Sequence, residues 1–71
     1  MINNQEDNMS YFYIMSTDPA NHRTYYWGGP DNQEWYPSIQ WQGSKEEAEQ
    51  ELARILPYNT HMSWFKIQQG E

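Results

Sequence analysis

Ser44-Lys-Glu-Glu-Ala-Glu-Gln-Glu-Leu-Ala-Arg-Ile-Leu-Pro57 is the stretch on which the fold turns. Ser44 with Glu47 three residues later matches a capping box, in which each side chain satisfies an orphan backbone amide at a helix start. Glu46 and Glu47 suit the positive end of the helix dipole, and Arg54 suits the negative end. Ala48, Leu52, Ile55 and Leu56 recur at the spacing of one apolar face. Glu46, Glu49, Gln50 and Arg54 point elsewhere, and the carboxylates Glu46, Glu47, Glu49 and Glu51 read as a solvated, capping-rich face. Pro57 stops the helix.

Outward from this helix the chain reads as strands. Upstream, Tyr11-Phe-Tyr-Ile-Met15 is a dense aromatic and β-branched run, a first strand. Ser16-Thr-Asp-Pro-Ala-Asn-His22 is crowded with turn formers, and Thr24-Tyr-Tyr-Trp27 beyond it pairs with the first strand as a hairpin. Gly28-Gly-Pro-Asp-Asn32 is a loop whose glycines permit positive φ. Trp35 to Trp41 is a candidate third strand, confined to an edge or a bulge because Pro37 lacks a ladder donor. Downstream of the helix, Met62 to Gln69 is the last strand. The expected fold is α+β: a small, three- to four-stranded, mainly antiparallel sheet with one helix packed on one face, in the order β-β-(β)-α-β. Residues 1–9 read as a disordered lead-in and 10–71 as a single domain.

One helix covers only one side of such a sheet. Phe12, Ile14, Ile39, Phe65 and Ile67 are the expected partners of Leu52, Ile55 and Leu56, with Trp41 and Trp35 in the core. The opposite parity then presents Tyr11, Tyr13, Tyr36 and Trp64. Tyr25 and Trp27 share one face and Tyr26 takes the other, and the pattern leaves open which is which. Tyr and Trp on an uncovered face are the residue types most enriched at binding hot spots.

With 71 residues and no cysteine, the chain has room for one core and no disulfide to reinforce it. Ten Asp and Glu against four Lys and Arg give a formal charge of −6. That balance argues against direct nucleic-acid binding, which rests on cations that neutralise phosphates. It suits a basic protein surface, where complementary charge speeds encounter, and it also serves plain solubility. Met1 to Asn8 lack the basic start and apolar core of a secretory signal. The longest apolar run falls short of the roughly 18 residues of a membrane span. A cytoplasmic location is expected, the host cytoplasm if the chain is phage-encoded.

Chemistry has few carriers here. His22 and His61 fall in loops, without a nucleophile elbow, a Gly-rich phosphate cradle or a second ligand at metal spacing. No catalytic residue, metal or cofactor is expected, and the chain reads as a non-enzymatic, acidic protein-binding module. Its partner-binding residues are expected to be Tyr11, Tyr13, Tyr25, Trp27, Tyr36 and Trp64 as apolar anchors, with Glu46 and Glu49 facing a basic partner. A homodimer through the aromatic face is one alternative. Another is a small-ligand or single-stranded-base binding domain that stacks its ligand on an exposed aromatic sheet face.

The order of aromatic hairpin, Gly-Gly-Pro-Asp loop, Ser-Lys-Glu-Glu-Ala-Glu helix and closing strand, over residues 11–68, resembles small β-β-(β)-α-β proteins of phages and mobile elements. Some of those are anti-defence inhibitors of the anti-CRISPR type. The resemblance implies an acidic inhibitor that blocks a basic nucleic-acid-binding surface of a host complex, and it transfers no residue role. The MbtH-like proteins, also small and aromatic, are set aside: Thr24-Tyr-Tyr-Trp-Gly28 lacks the serine and proline of their core motif.

Overall fold

Ser44 sits in extended conformation (φ −65°, ψ 166°) and opens the helix as its sequence dictates. Its Oγ accepts from the Glu47 amide at 3.0 Å, and its own amide donates to Glu47 Oε1 at 2.9 Å. In the computed structural model, which describes residues 10–70, this cap starts α1, Lys45–Ile55. The expected lead-in, residues 1–9, lies outside the described residues. Pro57 falls in a short 3-10 turn, Leu56–Tyr58, that ends the helix. Just beyond it, buried Asn59 donates from Nδ2 to the Ile55 carbonyl at 2.9 Å, which occupies one of the orphan acceptors of the helix end.

Four strands complete the domain: β1 (Phe12–Asp18), β2 (Arg23–Trp27), β3 (Trp35–Tyr36) and β4 (Ser63–Gln69). They form one antiparallel sheet in the order β3-β2-β1-β4, so the α+β architecture is as the pattern predicts. The β1–β2 turn is built by Asp18, whose carbonyl accepts from His22 N at 2.7 Å and whose Oδ1 accepts from Ala20 N at 2.9 Å. His22 closes the turn at φ 61°, a left-handed position that histidine enters more readily than most side chains. That turn sets the register Ser16↔Tyr25 and Met15↔Tyr26, and the register decides which rings face the helix.

Ile14, Trp27, Ala48 and Ile55 form the buried centre, and Phe12, Trp35, Trp41, Leu52 and Ile67 pack against it. Trp35 meets Trp27 at 5.0 Å and Phe65 at 6.0 Å between ring centroids. Its Nε1 donates to Asn59 Oδ1 at 2.9 Å, so the polar edge of this large ring is satisfied beside the core.

Several expectations need correction. The third strand is only Trp35–Tyr36; it stops at Pro37, which cannot donate to the ladder, so Ile39 lies exposed rather than under the helix. Leu56 is also exposed, because at 3.6 residues per turn it falls about 80° past Ala48, on the rim of the apolar stripe. The position inside the stripe is Glu51, which is buried rather than part of the solvated acidic face.

Candidate functional site

Alternation along the strands sorts the side chains into two sets. Phe12, Ile14, Ser16, Tyr25, Trp27, Trp35 and Ile67 take the helix side. Tyr13, Met15, Thr17, Thr24, Tyr26, Tyr36, Lys66 and Gln68 take the other. Among the described residues the one helix packs on the first side, and the second is an open face. Tyr13 and Tyr26 meet there edge to face, with centroids 5.6 Å apart and planes at 63°. Beside them Tyr36 is fixed by donating its hydroxyl to Asn32 Oδ1 at 2.7 Å. Tyr11 precedes β1 on the same parity and is 53% exposed.

Trp64 breaks the alternation instead of joining this set. The β1–β4 register changes between Met15↔Lys66 and Thr17↔Ser63, so Trp64 and Phe65 together face Ser16. Ser16, fully buried, donates from Oγ to the Ser63 carbonyl at 2.7 Å within this bulge. The bulged Trp64 has φ 54°, a conformation that glycine adopts freely and a bulky side chain adopts only at a cost of about 1–3 kcal/mol. Its indole is 71% exposed. Strain and exposure thus coincide at one residue.

Of the sequence-derived anchors, Tyr11, Tyr13, Tyr36 and Trp64 are at least half exposed or lie on the open face. Tyr25 and Trp27 do not belong with them. Both face the helix side, Tyr25 half-buried and holding Asn21 Nδ2 at 3.0 Å. Trp27 is only 3% exposed, and the reason is a polar partner inside the core: its Nε1 donates to Glu51 Oε2 at 2.8 Å. Glu46 and Glu49 are exposed on α1, with the sheet between them and the open face. The structure therefore does not bring the acidic and aromatic candidates together in one flat patch.

Glu51 anchors a second feature. It receives Arg54 Nε on Oε1 at 3.0 Å and Arg54 Nη2 on Oε2 at 2.6 Å. It is 7% exposed while Arg54 is 45% exposed. The hydrogen bonds from Arg54 hold the Glu51 carboxyl below its ordinary range against the opposing effect of burial, with the Trp27 indole adding to the lowering. The same contact raises Arg54. Above this pair opens a groove of about 340 Å³ lined by Pro30, Trp41, Glu47, Gln50, Glu51 and Arg54. Trp41 forms its wall because Gly29 (φ 106°) and Gly43 let the indole lie against their backbones. A Cβ on Gly29 would approach its Cγ and Cδ1 at 2.7 Å, and one on Gly43 its Cζ2 at 2.9 Å.

Sequence reasoning missed Glu51, Asn59 and the conformation of Trp64. The first had a signal, since Glu51 is three residues after Ala48 and four before Ile55, inside the apolar stripe. His22 and His61 are exposed. Among the described residues no group of three or more His, Cys, Asp and Glu side chains is placed to hold a metal, and no helix is long and apolar enough to cross a membrane. Neither any family model nor any curated protein or solved structure matches the chain.

Proposed function

We propose that the chain is a non-enzymatic protein-binding module whose docking surface is the open face of the sheet together with Trp64 at its β4 edge. The observation that carries this reading is Trp64: a tryptophan held in a glycine-like conformation and mostly exposed on the edge strand β4, at the border of the sheet whose open face carries Tyr13, Tyr26 and Tyr36. At 71% exposure the indole contributes little burial to set against that strain. A partner that buries the indole would offset it, and buried tryptophans and tyrosines dominate the energetics of protein interfaces. The formal charge of −6 favours a partner with a basic surface. In its narrowest form the module is a phage-type anti-defence inhibitor that covers a basic nucleic-acid-binding surface of a host complex, a version supported by the charge and by the residue pattern over 11–68.

Photo-crosslinking tests the docking surface. A photoreactive phenylalanine analogue is placed at position 36 on the open face, or at position 49 on the helix, and each protein is irradiated in host lysate. A discrete adduct is expected from position 36. It should weaken as salt rises and be competed by the unlabelled chain, but not by a Tyr36→Ser, Trp64→Ser variant. Adducts from position 49 alone, or equal competition by the double variant, would overturn the reading.

A further inference from the structure

The groove beside α1 lies on the helix side of the sheet, away from the proposed docking face, and folding does not require it to stay open. Its chemistry is specific. Glu51 and Arg54 cancel each other's charge in a two-bonded pair. Glu47 spends one oxygen on the Ser44 amide, and no hydrogen bond among the described residues uses the other. Gln50 contributes an amide on the exposed rim. The wall is the indole of Trp41, which two glycines hold in place. The lining therefore carries one uncompensated negative charge and a fixed aromatic face, with Glu46 and Glu49 exposed on the same helix. An anion would meet the field of a chain at −6, and a neutral apolar group would leave Glu47 without a counterpart.

We infer that this groove is a binding site for a cationic side chain, an arginine presented by a basic protein partner. A guanidinium is planar and weakly hydrated, so it can stack on the Trp41 indole while its N–H groups reach Glu47 Oε2 and the Gln50 carbonyl. Lysine offers a point charge without the flat surface. The inference rests on the reading that the partner is basic, and it adds a contact at α1, away from the open-face tyrosines.

The test needs no partner. The full-length chain is titrated with acetyl-Gly-Arg-Gly-amide and, separately, with its citrulline counterpart, which has nearly the same shape and no charge. The Trp41 indole N–H and Gln50 side-chain resonances are followed by NMR. Saturable shifts at both groups are expected with the arginine peptide, and binding about tenfold weaker with citrulline, the factor that corresponds to loss of one modest charge-assisted contact. Glu47→Gln preserves the capping geometry, since glutamine also serves at that position, and should weaken arginine binding by a similar factor. Gln50→Lys, at an exposed site, should abolish it. Equal response to citrulline, an unchanged affinity in Glu47→Gln, or shifts confined to the sheet tyrosines would overturn the inference. The crosslinking experiment reads adducts at positions 36 and 49 and competition by the Tyr36, Trp64 double variant, none of which depends on Trp41 or Glu47, so either proposal can fail while the other stands.

Discussion

On the helix side of the sheet, Ile14, Trp27 and Ile67 meet Ala48, Leu52 and Ile55. No buried side-chain nitrogen or oxygen among the described residues lacks a hydrogen bond there or elsewhere. The open side is built from the same strands and residue types, yet among the described residues no element packs over its tyrosines, and at the β4 edge Trp64 sits exposed on strained backbone. Apolar burial explains the first side completely: each large ring removes surface from water, and each polar atom it drags inward is matched. The second side has no such explanation from folding alone. An aromatic residue count, which treats both sides alike, hides this difference.

The contrast is most easily broken by truncating one ring on each side. Trp27→Ala should cost about 3–5 kcal/mol through lost burial and the cavity left behind. That is comparable to everything a core of this size supplies, so the variant should be largely unfolded in urea titrations followed by circular dichroism. Tyr26→Ala, one position away on the open side, forfeits cross-strand packing with Tyr13 and Tyr36 and should cost about 0.2–1 kcal/mol. Comparable losses from the two would mean that the open side is part of the core after all.

Glu51 sharpens the comparison at the next scale down. Removing the carboxylate in Glu51→Ala leaves the buried Trp27 N–H without an acceptor and should cost about 1–3 kcal/mol. The pH dependence follows from the direction of the shift. A carboxyl lowered in the folded state contributes stability that is present above its unfolded value of about 4.3 and is lost as pH falls through the lower folded value. Acid titration should therefore show a decline in stability beginning near pH 4 that Glu51→Gln, which can still accept from Trp27, flattens. An unchanged acid limb in that variant would remove the Arg54 pairing as its cause.

How much of this was legible in the sequence depends on how local the deciding interaction is. The capping box, the proline stop and the turn residues act within a few positions, and Ser44, Pro57 and Asp18 all do what their spacing predicts. Alternation placed Tyr13 opposite Ile14 with no further help. It could not say which side of the sheet Trp27 takes, because that depends on the pairing Ser16↔Tyr25, set by a turn whose length fixes the register across two strands. Glu51 was hidden for a related reason: a glutamate in an apolar stripe looks like a surface residue until the indole that receives it is known. The bulge at Trp64 left no trace in local composition, since the residue usually found in that conformation is glycine.

Trp64 is also where the difference between rings buried for the fold and a ring left in water can be measured most directly. If its indole serves a partner and not the fold, Trp64→Gly removes a strained conformation and little buried surface. Urea denaturation should then show a midpoint at or above that of the unchanged chain, with a gain of up to about 1 kcal/mol once the greater freedom of unfolded glycine is subtracted. A midpoint lowered by the amount expected for a core aromatic, about 3 kcal/mol or more, would show that the tryptophan belongs to the fold and contradict the account.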